Sequence, residues 1–178
     1  MEAVMVVDFR ADRMRGCMPE PTRWLARLLA IWDDQRAEAA LPDADELFLA
    51  DLAEVIPNLV LAYRDDLTDG FRIEFAGATA KAVLPIEPVG VIPEHELLQH
   101  PLAWLGAGFV RTRSPAVPGP QWMRCDDTLG LFLPYGSFDA RVTLILVGIA
   151  RWPAAKPTSR RTSTVVPLTP RRVRRCLE

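Results

Sequence analysis

The sequence predicts an α+β domain built on a five-stranded, mostly antiparallel sheet. Three observations support this class: five short strand-like segments separated by turn signals, two clear amphipathic helices, and a last strand that is almost wholly apolar. The length of 178 residues suits one domain with terminal extensions. We expect the domain to span residues 21–152, after a leader at 1–20 and before a tail at 153–178.

The first clear element is a helix from about Pro21 to Ala40. Proline suits a first helical turn, where its missing N–H would have had no partner. The apolar residues recur at helical spacing and form one broad face, which we expect to pack either on the domain or on a second copy of the chain. The candidate dimer interface on this face is Trp24, Leu28, Ile31 and Trp32.

The remaining elements follow from alternation and from Gly and Pro as breakers. In chain order, the predicted segments are a short helical turn over 51–56, strands over 59–64 and 71–75, a short helix over 77–84, a loop or broken helix over 85–100, a helix over 101–113, and strands over 121–125, 129–133 and 140–152.

The hydrophobic patterns also predict the place of each strand in the sheet. Phe71–Phe75 alternates strictly and 122–126 is mixed, which suits edge strands, whereas Val142–Ala150 is almost wholly apolar and suits a central strand covered on both faces. The simplest strand order is 2-1-5-4-3. Helices from the middle connection then cover one face, and the N-terminal cap helix can cover the other.

Charge divides the chain into two unequal parts. Residues 1–150 carry thirteen Lys or Arg and twenty-two Asp or Glu, a net of −9, whereas residues 151–178 carry eight and one, a net of +7. The composition of 153–178, with four prolines and many Ser and Thr, is typical of a disordered tail. Three interpretations stay open: a solvated extension, attraction to nucleic acid or anionic lipid, and folding back on the acidic domain of the same or another copy.

Several classes of site are disfavoured by the sequence. The dinucleotide, P-loop and Gly-x-Ser-x-Gly motifs do not occur in it. Cys17, Cys125 and Cys176 lie far apart, which argues against disulfides and zinc and favours reduced thiols in the cytoplasm. His95 and His100 are expected in a loop, so we expect neither a metal nor a catalytic site. No run of about 20 apolar residues occurs in the sequence, and the first eight residues lack a basic start and a long apolar stretch, so we expect neither a membrane helix nor a secretory signal.

A sheet packed on short helices can enclose an apolar pocket for a small ligand. The bulky residues predicted to line such a pocket are Phe75, Trp104, Phe109, Trp122 and Phe132. The alternative interpretation is that these five side chains fill the core.

The order of elements resembles the PAS domain, in particular the single-domain bacterial PAS proteins of the PAS_5 group. The matching motifs are a short helix with a proline step before the first strand (Asp51–Leu61), a second strand ending in glycine (Phe71–Gly77), Ser114–Val117 after the long helix, and a strand ending in proline (Leu131–Pro134). The match covers about residues 22–152.

This resemblance implies a non-enzymatic sensory or regulatory module in signal transduction, which binds a small apolar molecule or a protein partner and forms a homodimer through its first helix. Haem-binding PAS domains use a histidine on the long helix, but His100 precedes that helix here, and none of the cysteines suits a flavin adduct. We therefore expect no cofactor and a colourless protein. The alternatives are a small α+β enzyme with an apolar cavity, and a protein that binds anionic partners through its basic tail.

Overall fold

The computed structural model describes residues 5–6, 22–47, 49–68, 70–84, 90–99, 102–114, 119–136 and 141–152. The strands are β1 (Met5–Val6), β2 (Leu59–Asp65), β3 (Gly70–Ala76), β4 (Gly90–Pro93), β5 (Gln121–Cys125), β6 (Thr128–Gly136) and β7 (Val142–Arg151). The α-helices are α1 (Arg23–Arg36), α2 (Ala78–Val83), α3 (Glu94–Leu97) and α4 (Ala103–Thr112), and short 3-10 turns cover Ala44–Glu46, Leu49–Leu52 and Ile56–Asn58.

The strands form one open antiparallel sheet in the order β1-β5-β6-β7-β2-β3-β4. The α+β class and the antiparallel sheet are therefore confirmed. The five predicted strands also lie in the predicted order, with the apolar β7 between β2 and β6. Both faces of β7 are covered, since every residue from Leu144 to Ala150 is buried.

The predicted strand count of five is wrong, because the sheet has six strands of four residues or more and the two-residue β1. β4 lies in the segment predicted to be a loop or broken helix, where Gly and Pro indicated a turn. It pairs with β3 at one edge of the described sheet and ends at Pro93, a position at which proline is tolerated. The prediction of β3 as an edge strand is therefore also wrong. Its alternation arises from one exposed face, which carries Arg72.

The other edge begins within the predicted leader. Met5 and Val6 pair with Arg124 and Met123, so β5 has a neighbour on both sides over these two residues. The rest of residues 1–20 and the whole predicted tail at 153–178 lie outside the described residues.

Helix α1 ends at Arg36, four residues before the predicted end at Ala40. The next residue, Ala37, has φ 49°, which interrupts helical geometry, and its N–H bonds back to the carbonyl oxygen of Asp34. The later helix α4 starts at Ala103 and ends at Thr112, within the predicted range 101–113.

Helices α1 and α4 cover opposite faces of the sheet. A Cβ built on Gly148 of β7 would lie 2.6 Å from Leu25 Cδ2 and 3.0 Å from Leu28 Cδ2, so α1 packs directly against this strand. Gly148 pairs with Leu131 of β6, and the next residue, Phe132, points to the opposite face and meets α4. We call these the α1 face and the α4 face.

Candidate functional site

The α4 face is closed by a cluster of aromatic rings. Phe132 meets Trp104 and Phe109 edge-on, with ring centroids 6.0 and 5.8 Å apart, and Phe109 stacks on Phe71 at 4.6 Å. All four residues are buried. A Cβ added to Gly108 would enter the Phe132 ring, so the helix backbone rests directly on that ring. These contacts are those of a packed helix–sheet interface.

The five residues predicted to line a pocket do not form one group. Trp104, Phe109 and Phe132 come together on the α4 face. Trp122 pairs with Leu131 on the α1 face, and an irregularity at Leu61/Ala62 places Phe75 in register with Leu61 on that same face.

Phe71 takes the place in the ring cluster that sequence reasoning gave to Phe75. The signal was present in the strict alternation of 71–75, which puts Phe71 and Ile73 on one face, and both are buried. The alternation gave no sign of the bulge that separates Phe75 from them.

The predicted dimer stripe on α1 is divided between two roles. Leu28 and Trp32 are 2% and 4% exposed and belong to the core of their own chain. Trp32 also donates a hydrogen bond of 2.7 Å from Nε1 to the carbonyl oxygen of Pro134. Trp24 and Ile31 are half-buried and remain accessible on the described surface.

Trp24 and Ile31 line an open groove of about 310 Å³ between α1 and residues 50–55. Leu28, Leu52 and Val55 complete an apolar floor, and Leu52 is buried. We call this site the α1 groove.

The rim of the α1 groove is charged. It carries Arg27, Asp51 and Glu54, and Arg27 Nη1 lies 3.8 Å from Glu54 Oε2 with both side chains largely exposed, at 76% and 88%. Exposed pairs of this kind contribute little to stability, so the two side chains are free to exchange partners at small cost.

Sequence reasoning missed the 50–55 wall of the groove as a functional element, although it predicted a helical turn over 51–56. Part of that turn forms the 3-10 turn Leu49–Leu52. The available signal was the spacing of Leu52 and Val55, three residues apart, which predicts that both face one neighbour. The pattern could not show that this neighbour is α1.

The α1 face continues beyond the helix as a half-exposed sheet surface. Tyr63 of β2 and Phe75 of β3 are half-buried, and Val91 of β4 is 46% exposed. Register places Val91 opposite Arg72, Arg72 opposite Tyr63, and Tyr63 opposite Leu144 of β7, which points to the α1 face. The guanidinium of Arg72 lies 6.0 Å from the Tyr63 ring centroid.

The described residues contain no group of three or more His, Cys, Asp or Glu side chains that could hold a metal ion. His95 lies in α3 and not in the predicted loop, and its side chain is largely exposed, with Nε2 4.0 Å from Glu96 Oε1, whereas His100 lies outside the described residues. In the described part of the chain, the helices also lack the length and apolar character that a bilayer crossing requires.

Comparisons of this chain with protein-family models, with curated proteins and with solved structures found no match.

Proposed function

We propose that this chain is a non-enzymatic, PAS-like regulatory module that acts by binding a protein partner, in the first instance a second copy of itself, through its α1 face. The observation that supports the PAS-like interpretation is the strand order. The five predicted strands follow 2-1-5-4-3, the middle connection supplies α4 to one face, and the first helix covers the other. Fold alone does not determine function, so the choice of partner depends on the surface.

The distribution of side chains favours a protein partner over a small molecule. On the α4 face, where three of the five predicted pocket residues lie, aromatic rings and the helix backbone at Gly108 fill the interface between helix and sheet. On the α1 face, an apolar groove and the half-exposed residues Tyr63, Phe75 and Val91 offer apolar area beside charged residues. Apolar centres with polar rims are typical of protein interfaces.

The variants that test this proposal follow from the burial of the α1 stripe. Trp32→Glu is unsuitable, because Trp32 is core and a buried charge would unfold the chain. Trp24→Glu with Ile31→Glu changes only half-buried positions that line the groove. We expect the wild type to sediment as a dimer and this double variant as a folded monomer.

The matched control is Leu67→Glu with Leu98→Glu, two apolar residues that are 95% and 50% exposed and do not line the groove. This control should stay dimeric. A wild type that is monomeric at tens of micromolar, or a control that dissociates equally, would contradict association through α1. Native mass spectrometry of the purified protein tests the small-molecule alternative, which requires a retained ligand.

A further inference from the structure

The chain carries two blocks of opposite charge, and one of them includes residues that line the α1 groove. Residues 33–54 hold eight Asp or Glu and one Arg, a net of −7, and Asp51 and Glu54 of this segment line the groove. Residues 153–178, which follow β7, hold seven Lys or Arg and one Glu, a net of +6. Charges of this size and opposite sign attract each other within about 10 Å at moderate salt.

The acidic segment contacts β6 at one point and forms one wall of the α1 groove. At one end, the N–H of Gly136 donates to the carbonyl oxygen of Pro42. At the other end, residues 50–54 line the groove, with Asp51 and Glu54 on its rim. A basic segment that lies in the groove therefore meets the carboxylates of Asp51 and Glu54.

The sequence after β7 has the pattern that this surface requires. Arg160 and Arg161 come first, an apolar stretch with Val165, Val166 and Leu168 follows, and four arginines lie between 171 and 175. The groove has a complementary arrangement, an apolar floor of Trp24, Ile31 and Val55 beside a rim on which Asp51 and Glu54 outnumber the one cation, Arg27. In this arrangement, the apolar side chains of the segment pack on the groove floor and its guanidinium groups bind the carboxylates of the rim.

The distance from the end of β7 presents no obstacle. Gly148, which packs against groove residues Trp24 and Leu28, precedes Trp152 by four residues, or about 13 Å along the strand. Val165 follows Trp152 by thirteen residues, which extend to about 45 Å at most. The segment has length to turn back and lie in the groove without strain.

We propose that residues 160–175 dock in the α1 groove of their own chain and compete there with the second copy. This inference rests on the proposed function only in that both assign the groove as a docking surface. Docking of the segment covers Trp24 and Ile31, so it weakens dimers, and neutralising its arginines strengthens them.

Paramagnetic broadening tests the inference in the full chain. A nitroxide on Cys176, in a Cys17→Ser and Cys125→Ser background, lies next to the 171–175 arginines. In a ¹⁵N-labelled sample at low salt, we expect the strongest loss of amide signal in α1 and in residues 49–55. The loss should disappear in 1 M NaCl, where the Debye length is about 3 Å.

Two charge-reversal variants locate the contact. Asp51→Lys with Glu54→Lys should abolish the broadening, whereas Asp66→Lys with Glu96→Lys, two exposed acids outside the groove, should leave it unchanged. Broadening that is absent, that is equal on other faces, or that responds equally to both variants would overturn the inference. So would equal broadening of ¹⁵N-labelled copies without a nitroxide when spin-labelled ¹⁴N copies are added, because it would come from a second chain.

The same samples separate this inference from the proposed function. If broadening is absent and the Trp24→Glu, Ile31→Glu variant still dissociates the dimer, the docked segment is ruled out and the dimer surface is supported. If broadening occurs on α1 but the protein does not dimerise, the dimer is ruled out and the docked segment is supported. In a dimerising protein, replacing the four arginines between 171 and 175 with Gln should lower the dimer dissociation constant, and an increase would contradict competition.

Discussion

Trp32 and Pro134 are joined across 102 residues of sequence by a hydrogen bond of 2.7 Å from the indole Nε1 to the proline carbonyl oxygen. The next residue of β6, Tyr135, donates its hydroxyl to Gln35 Oε1 at 3.0 Å, so two neighbouring strand residues hold the last turns of α1. The apolar side of α1 packs on Gly148, but apolar contacts have little directional preference. These two directional bonds set its register on the sheet and, with it, the side of α1 that lines the groove.

Replacing Trp32 with Phe should destabilise the protein. The change keeps an aromatic ring but leaves the Pro134 carbonyl oxygen without its donor, which costs about 1–3 kcal/mol. Urea unfolding followed by circular dichroism measures this difference in the free energy of unfolding. Trp24→Phe is the control, since Trp24 is half-buried in the groove, and it should cost less. Equal losses would show that the hydrogen bond does not hold α1.

Replacing Gly108 with Ala should also destabilise the protein, although alanine favours helices. The added methyl group would enter the Phe132 ring, and overpacking of this kind costs about 1–3 kcal/mol. Gly119→Ala, whose methyl group meets no atom within 4 Å, should change the free energy of unfolding by less than about 0.5 kcal/mol.

A double-mutant cycle with Phe132→Leu checks the cause of the Gly108→Ala effect. The smaller side chain makes room for the methyl group, so the Gly108→Ala penalty should shrink by about 0.5–3 kcal/mol in that background. Additive effects of the two changes would mean that the clash lies elsewhere.

Replacing Ala37 with Gly should stabilise the protein. Ala37 ends α1 with φ 49°, a conformation that costs an L-residue about 1–2 kcal/mol and glycine almost nothing. After the larger unfolded-state entropy of glycine is subtracted, a gain of about 0.5–1 kcal/mol remains. Thermal unfolding should show a higher Tm for Ala37→Gly and no rise for Ala39→Gly, an exposed position in the following bend. A lower Tm for both would contradict backbone strain at Ala37.

Stability should fall at alkaline pH because of Tyr135. Burial raises the pKa of the Tyr135 phenol above its ordinary value of about 10. Above pH 10 the unfolded chain releases this proton while the folded chain retains it, so the unfolded state binds fewer protons and the free energy of unfolding decreases with rising pH.

Tyr135→Phe tests the alkaline effect. This variant has no phenol to titrate at residue 135. Its free energy of unfolding, measured by urea unfolding at each pH, should therefore decrease less above pH 9 than that of the wild type. Parallel curves for wild type and Tyr135→Phe would show that another group causes the loss.

The hydrophobic periods of the sequence determined the class of the fold and much of its topology. The run Val142–Ala150 has no polar face that could be exposed to solvent, which predicts a central strand covered on both faces. The structure places β7 in the middle of the sheet. The helical spacing of Leu25, Leu28 and Trp32 identified the side of α1 that packs. These features were accessible because each depends on residues close together in the chain.

Only the tertiary structure decided which neighbour each face meets. It divided the α1 stripe between the core and the groove, paired Gly90–Pro93 with β3 despite the nearby prolines, and used a bulge at Leu61/Ala62 to send Phe75 to the other face from Phe71. It also brought residues 50–55 against α1 to form the groove wall. A period of 2 or 3.6 residues shows which side chains share a face, whereas backbone pairing and packing between distant segments determine what covers that face.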